Sequence, residues 1–215
     1  MKSISDLIFS KLISFEPNIN PVPREEIIDF FTKEQRFIRE DHIKFLMEYG
    51  GEPSPICFDE TYIDCSFKEI KELIEDEKEY GRKIPNNFLY FGNPVAGSQI
   101  IINDNNGALY RLGKHSIGQE VCGNIKTFTW IASLSYIEKI SLKSLTKSNL
   151  TDDQIHIFLK LNNNYLLSDL KSPDMQYYFK NDTMYSVSIK GNYIISHKIK
   201  PEIVEYIVNM MQVTS

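Results

Sequence analysis

Two glycine-containing segments in the middle of the chain have the residue types of phosphate and calcium loops. Gly92 and Gly97 are spaced as in a phosphate-binding loop, but Ser98 stands where that loop needs its lysine. The segment Asp104-Asn105-Asn106-Gly107 has the oxygen-rich character of a calcium loop, but Ile102 lies where the first oxygen ligand is required. Both segments are therefore predicted to be turns.

The residues that could act as nucleophile, base or metal ligand are scattered. Four histidines lie in four separate predicted elements, without HxH or HExxH pairing: His42, His115, His156 and His197. Cys122 and His115, with Asp104, are the nearest candidates for nucleophilic catalysis, but neither Cys122 nor His115 has an orienting acid near it in sequence. We therefore predict no catalytic, cofactor-binding or metal-binding residues. The alternative is an enzyme whose site is assembled from dispersed residues.

The centre of the chain has the pattern of a buried sheet. Residues 88–91 form an apolar run, and the three isoleucines 100–102 favour a strand covered on both faces. The turn at 104–107 returns the chain into a pairing strand over 108–112. We expect the core to include these residues of the sheet and its helices: Phe45, Leu46, Phe91, Ile100, Ile102, Leu109, Trp130, Leu134 and Ile137.

The flanking segments predict an α+β fold. Helices are predicted at the N-terminus, over about 39–49 with a left-handed C-cap at Gly50-Gly51, and over 66–80 after a capping box. They precede a central, mainly antiparallel twisted sheet with helices packed on one face. A second capping box at 151–154 starts a helix, and three strands in a meander and a last helix opened by Pro201 follow. A polar run over 141–149 suggests domains at 1–148 and 149–215, the second extending the first sheet or forming a second layer.

Charge is unevenly distributed along the chain. The formal net charge is −5, which gives no reason to expect a nucleic-acid partner. Residues 59–80 contain nine acidic side chains and three lysines, so this stretch alone carries −6. Such a run is either a solvated helix face or a docking surface for a basic protein. The predicted contact residues are Asp59, Glu60, Tyr62, Asp64, Glu72, Glu75, Asp76 and Tyr80.

Cysteine usage and hydropathy point to a soluble protein of the cytoplasm. The three cysteines are odd in number and lack CxxC spacing, which predicts reduced thiols. No apolar run approaches the length of a membrane span, and Asp6 and Lys11 interrupt the N-terminal apolar pattern. We therefore expect no membrane partner.

Three local patterns in this order resemble the SUKH superfamily. The first is the helix and Gly-Gly-x-Pro of residues 38–53, the second is the strand–glycine–strand–glycine–strand arrangement of 89–110, and the third is IASLSYI at 131–137. The sequence departs from the family at Arg39, where a proline is common, and at Ser98, where an acidic residue is frequent. The resemblance covers about residues 25–142.

The resemblance implies binding rather than catalysis. Similar proteins are mostly bacterial immunity proteins that neutralise toxin domains, commonly nucleases or deaminases, while others are scaffold-like signalling proteins or viral proteins. We therefore expect a non-catalytic immunity protein that occludes the active or substrate-binding face of a basic toxin domain, without a cofactor. An intracellular scaffold or regulator of the same fold is the alternative.

Overall fold

The structure is a computed structural model that describes residues 3–15, 19–52, 57–58, 61–81, 84–95, 97–113 and 116–213. These described residues form an α+β fold with two antiparallel sheets. The helices are α1 (Ile4–Ile13), α2 (Arg24–Lys33), α3 (Glu40–Tyr49), α4 (Phe67–Tyr80), α5 (Ile125–Ser133), α6 (Ile137–Ile140), α7 (Asp152–Asn162) and α8 (Pro201–Val213). The strands are β1 (Cys57–Phe58), β2 (Thr61–Asp64), β3 (Phe88–Pro94), β4 (Ile100–Asn103), β5 (Leu109–Leu112), β6 (Ile117–Cys122), β7 (Ser141–Lys147), β8 (Met175–Lys180), β9 (Thr183–Ser188) and β10 (Tyr193–Ile199).

The chain divides into two compact units, one of Glu16–Ala132 and one that joins Met1–Phe15 to Ser133–Ser215. This division differs from the predicted boundary at residue 148. The polar segment 141–147 is a strand that pairs with β10, and α1 packs with α6 and α8. Lys11 lies 4.2 Å from the ring centroid of Tyr206. These are contacts between segments distant in sequence, so no local pattern reports them.

The first unit is built on a six-stranded sheet in the order β1 to β6. The three isoleucines of β4 are fully buried, as their pattern predicts. Phe91 lies under two helices, since its ring centroid is 4.9 Å from that of Phe45 in α3 and 5.0 Å from that of Phe128 in α5. These two helices therefore pack on the same face of the sheet.

The predicted core is correct except at one position. Eight of the nine predicted residues are buried, whereas Leu134 is only partly buried. Leu134 lies in a single 3-10 turn, Leu134–Tyr136, between α5 and α6. Leu134, Ile137 and Ile140, which lie three residues apart, thus belong to that turn and to α6 rather than to one continuous helix. Cys122 ends strand β6 and is buried.

Gly50 and Gly51, after α3, are required for a reason other than the predicted left-handed C-cap. Gly50 is in the right-handed helical region, with φ −82°, rather than the left-handed conformation. A Cβ on Gly50 would lie 2.6 Å from the carbonyl oxygen of Leu46, and one on Gly51 would lie 2.4 Å from Cβ of Asn20. Close packing of backbone, not positive φ, therefore requires glycine here. The left-handed C-cap occurs at Gly81 after α4.

The turn between β4 and β5 is held by one arginine. Arg39 donates from Nη1 to the carbonyl oxygen of Asp104 at 2.9 Å, and its Nε and Nη2 donate to the carboxylate of Asp41. Gly107 in the same turn has φ +76°, and a Cβ there would lie 2.9 Å from Nη2 of Arg39. The glycine is thus required both by its conformation and by the guanidinium beside it.

We expect Gly107→Ala to lower the free energy of unfolding by about 2 to 3 kcal/mol, because alanine is strained at positive φ and its Cβ would displace the guanidinium of Arg39. Gly81→Ala is the matched control, because Gly81 also has positive φ, +67°, but nothing lies within 4 Å of the position that a Cβ would occupy there. The control should lose only the conformational part, about 1 kcal/mol. Urea unfolding followed by the fluorescence of the single tryptophan, Trp130, measures both. Equal losses in the two variants would contradict the role assigned to Arg39.

The second unit contains a four-stranded sheet in the order β7-β10-β9-β8. The predicted meander of three strands is present, with left-handed Asn181 and Asn192 in its two turns. It forms a separate sheet rather than an extension of the first. Helix α7 covers one face through a cluster of Ile155, Tyr178, Val187 and Ile194. Thr151 and Gln154 form the predicted reciprocal capping box at the start of α7.

Candidate partner-binding surface

Helix α4 presents the acidic stretch of the chain. Its N-terminus is capped by the hydroxyl of Ser66, which accepts from the N–H of Glu69 at 3.1 Å. The apolar side chains Phe67, Ile70, Leu73 and Ile74 are buried. Because apolar and charged positions alternate with helical period, burying this face turns the remaining positions outward.

Four carboxylates lie together on the outward face of α4. They are Glu72, Glu75, Asp76 and Glu79, and all four side chains are exposed. Their spacing of i, i+3, i+4 and i+7 places them on one stripe of the helix. Tyr80, 64% exposed, continues that stripe at i+8. We call the four carboxylates the acidic ridge.

The three lysines of α4 are directed to acidic residues elsewhere in the same unit. Lys68 pairs with Glu52 at 3.0 Å and Lys71 with Glu26 at 3.3 Å. Lys78 pairs through Nζ with the carboxylate of Glu34. Since each lysine has a nearer anionic partner, none of them forms an ion pair with the acidic ridge among the described residues.

Two other acids of the stretch serve the fold. Glu77 is buried, and its Oε1 lies 2.9 Å from Nη2 of Arg36. Glu69 accepts from Nδ2 of Asn93 at 2.6 Å, and burial raises the pKa of its carboxyl group. Glu69 and Glu77 therefore lie on a different face of α4 from the acidic ridge.

The predicted contact residues separate into three groups in the structure. Glu72, Glu75, Asp76 and Tyr80 are brought together on α4. Asp64 ends β2, and its Oδ1 accepts from the N–H of Ser66 at 2.8 Å, so it stabilises the turn that leads into α4. Asp59 and Glu60 lie outside the described residues, and for Tyr62 only the backbone, paired with Cys57, is described. Glu79 was missed, although its spacing from Glu75 and Asp76 indicated the same face.

Like charges at this spacing weaken a helix. Each i, i+3 or i, i+4 pair of like charges costs a few tenths of a kcal/mol, and the ridge contains four such pairs. The stabilisation of α4 comes instead from its buried apolar face and from the Arg36–Glu77 pair. The acidic ridge is therefore not the main source of the stability of α4.

Of the three residues considered for catalysis, Cys122 is poorly suited to act as a nucleophile. Cys122 is buried, and burial raises the pKa of its thiol to about 12, so the thiolate that a nucleophile needs is disfavoured. Burial raises the pKa of Asp104 to about 6, although Arg39 and Arg36 oppose the shift. His115 lies outside the described residues.

Neither loop motif forms a ligand site among the described residues. Gly92 lies within β3, where a Cβ would come within 2.7 Å of Sγ of Cys65, so this glycine permits close packing of β3 on its neighbour. Within the described ranges, no group of three or more histidine, cysteine, aspartate or glutamate side chains is arranged to hold a metal ion.

One polar pair in the second unit was not predicted. Nδ1 of His197 and the hydroxyl of Ser144 lie 2.7 Å apart across the paired strands β10 and β7. His197 is buried, and this burial lowers its pKa, while the charge of Glu138 acts in the opposite direction. A neutral imidazole with Nδ1 as acceptor fits this hydrogen bond. The contact joins residues 53 positions apart, so sequence spacing gave no signal of it.

In the part of the chain that the structure describes, no helix has both the length and the apolar character needed to cross a membrane. Comparisons with protein-family models, with curated proteins and with solved structures found no match to this chain.

Proposed function

We propose that this chain is a non-catalytic binding protein that neutralises a basic protein partner by covering its active or substrate-binding face. The partner class that fits is a toxin domain acting on nucleic acid, such as a nuclease or a deaminase. The acidic ridge of α4 carries the proposal, because four exposed carboxylates share one helix face while the lysines of that helix are paired elsewhere.

Electrostatic attraction between the two proteins is expected because such a toxin acts on nucleic acid. A protein that binds nucleic acid presents cationic side chains to phosphates, so its substrate face attracts anionic surfaces. Residues 16–132 contain twenty acidic and thirteen basic side chains, a net charge of −7, whereas the other residues carry nine acidic and eleven basic ones, a net charge of +2. Attraction of this kind raises association rates on the order of 10 to 1000-fold. Tyr80, exposed beside the ridge, supplies an aromatic anchor.

The SUKH-like order of motifs also supports the proposal. The first pattern is helix α3 with the closely packed Gly50-Gly51 pair, and the second is the β3–β4–β5 succession. The third spans the end of α5, the 3-10 turn and the start of α6. Members of the superfamily that these patterns resemble are mostly immunity proteins, which act by binding.

The state of the cysteines fits a cytoplasmic binding protein. Cys65 and Cys122 are buried thiols outside any disulfide, and burial raises the pKa of both. Such thiols are typical of a reducing compartment. An immunity protein that meets its toxin in the cytoplasm would have this character.

The test uses the product of the gene directly upstream of the gene for this chain, which the proposal expects to encode a toxin. Its association with the wild-type chain is measured by biolayer interferometry at low and at high salt. We expect Glu72→Lys with Glu75→Lys and Asp76→Lys to slow association at low salt by at least tenfold and to remove most of its salt dependence.

A charge-matched variant separates the ridge from net charge. Glu138→Lys with Asp153→Lys and Glu205→Lys makes the same change in formal charge at three exposed acids of the second unit. This control should retain most of the association rate. If the ridge variant keeps both its rate and its salt dependence, α4 presents only a solvated face. If the adjacent gene encodes no toxin, the scaffold alternative is favoured.

A further inference from the structure

The two edges of the second sheet differ. At the β8 edge, a segment of the same unit covers the strand: the N–H of Leu167 donates to the carbonyl oxygen of Tyr177 at 2.8 Å, and Leu166 forms a bridge with Tyr178. At the other edge, β7 pairs with β10 on its inner side only, and no described residue pairs with its outer side. The backbone N–H and C=O groups of that outer side are therefore open to another strand.

Strand β7 offers a regular pairing edge over most of its length. It is seven residues long and contains no proline, and it pairs with β10 in unbroken register from Lys143 to Lys147, with a register shift between Lys143 and Ser141. All side chains from Leu142 to Lys147 are exposed, including Leu142 at 58% and Leu145 at 52%. A hydrogen bond between Ser144 and His197 fixes the strand to β10. From Lys143 to Lys147 the edge is thus preformed and regular, and Leu145 makes it partly apolar, as strand addition requires.

The charges on β7 select the kind of strand that can add. Lys143 and Lys147 lie on the same face of the strand, on either side of Leu145, and Lys198 lies opposite Lys143 on β10. Lys198 is partly neutralised by Asp182 at 3.5 Å, whereas neither Lys143 nor Lys147 has an ion-pair partner among the described residues. In a dimer of two β7 strands these lysines would repel one another, and an acidic strand would pair with them.

We propose that the outer edge of β7 is a docking site for an extended, acidic segment of a partner protein, added as a fifth strand to the β7-β10-β9-β8 sheet. Backbone hydrogen bonds provide the affinity, Leu142 and Leu145 contact apolar side chains of the added strand, and Lys143 and Lys147 pair with its carboxylates. This site is separate from the acidic ridge and takes a partner surface of the opposite charge.

The probe is a fluorescein-labelled nine-residue peptide of alternating valine and glutamate, followed by fluorescence polarisation. We expect saturable binding to the full chain below about 1 mM. Two matched peptides separate the contributions: one with lysine in place of glutamate, and one N-methylated at every residue, which keeps the side chains but has no N–H to donate. Both should bind at least tenfold more weakly than the glutamate peptide.

A variant reverses the preference. Lys143→Glu with Lys147→Glu should favour the lysine peptide over the glutamate peptide, with the far-UV circular dichroism of the chain unchanged. The ridge variant of α4 should bind the glutamate peptide as wild type does, so failure of the ridge proposal leaves this one testable. The proposal is overturned if the glutamate peptide does not bind, if the N-methylated peptide binds equally well, or if the chain forms a β7-mediated dimer that excludes the peptide.

Discussion

Ile102→Asp is expected to prevent the first unit from folding. Ile102 lies in β4 with no exposed surface, paired with Leu89 of β3 and Leu109 of β5, both also buried. The substitution removes a buried aliphatic side chain and places a carboxylate among buried apolar ones. The combined loss is on the order of 5 kcal/mol or more, comparable to the stability of a typical domain.

The measurement is equilibrium unfolding in urea, followed by the fluorescence of Trp130, which is 1% exposed and belongs to the same unit. Ile117→Asp is the matched control, because it makes the same change on strand β6 of the same sheet at a side chain that is 39% exposed. The control should lose about 1 kcal/mol or less. Similar unfolding midpoints for wild type and Ile102→Asp would contradict the buried central strand.

A buried histidine is expected to make the first unit sensitive to acid. The imidazole of His42 is fully buried between the rings of Phe45 and Phe91, at centroid distances of 6.5 and 5.1 Å. Neither ring nitrogen has a hydrogen-bond partner among the described residues. Burial lowers the pKa of His42 to about 4 from an ordinary value of 6.5, while Asp41 and Arg39 act in opposite directions.

Because the pKa of His42 is lower in the folded chain than in the unfolded chain, acid is expected to destabilise the first unit. Between pH 6.5 and pH 4 the unfolded chain binds a proton that the folded chain excludes, so lowering the pH favours unfolding. Stability from the neutral imidazole is complete above about pH 6.5, and about 3 kcal/mol is lost by pH 4. Asp104, with its pKa raised to about 6, titrates in the same window with the opposite sign.

A comparison of variants isolates the histidine. His42→Phe keeps an aromatic ring between Phe45 and Phe91, so the difference in unfolding free energy between wild type and variant should change by about 3 kcal/mol from pH 7 to pH 4. Carboxylates, including Asp104, titrate in both proteins and cancel in this difference. A constant difference between wild type and His42→Phe across this range would show that His42 is protonated without cost.

The acidic ridge was predictable in part because helical period is a local property. The residues from Glu72 to Tyr80 have their apolar partners within one or two turns, so the sequence identifies the outward face of α4. The pairing of Lys68, Lys71 and Lys78 with Glu52, Glu26 and Glu34 could not be predicted, because it depends on how α2 and the α3 terminus lie beside α4. Because of that pairing, the lysines of α4 form no ion pairs with the acidic ridge among the described residues.

By itself, the sequence determined the features that depend on interactions between residues close together in the chain. Several features depend on residues within a few positions. They are the caps at Ser66 and Thr151, the three isoleucines of β4 and the two asparagine turns of the meander. Only the tertiary structure decided which distant segments share a core. It joined α1 to the second unit and made the polar segment 141–147 an edge strand, since an exposed edge strand has the polarity of a linker. It also brought Ser144 to His197, because strand pairing between distant segments is chosen by the whole sheet rather than by either strand.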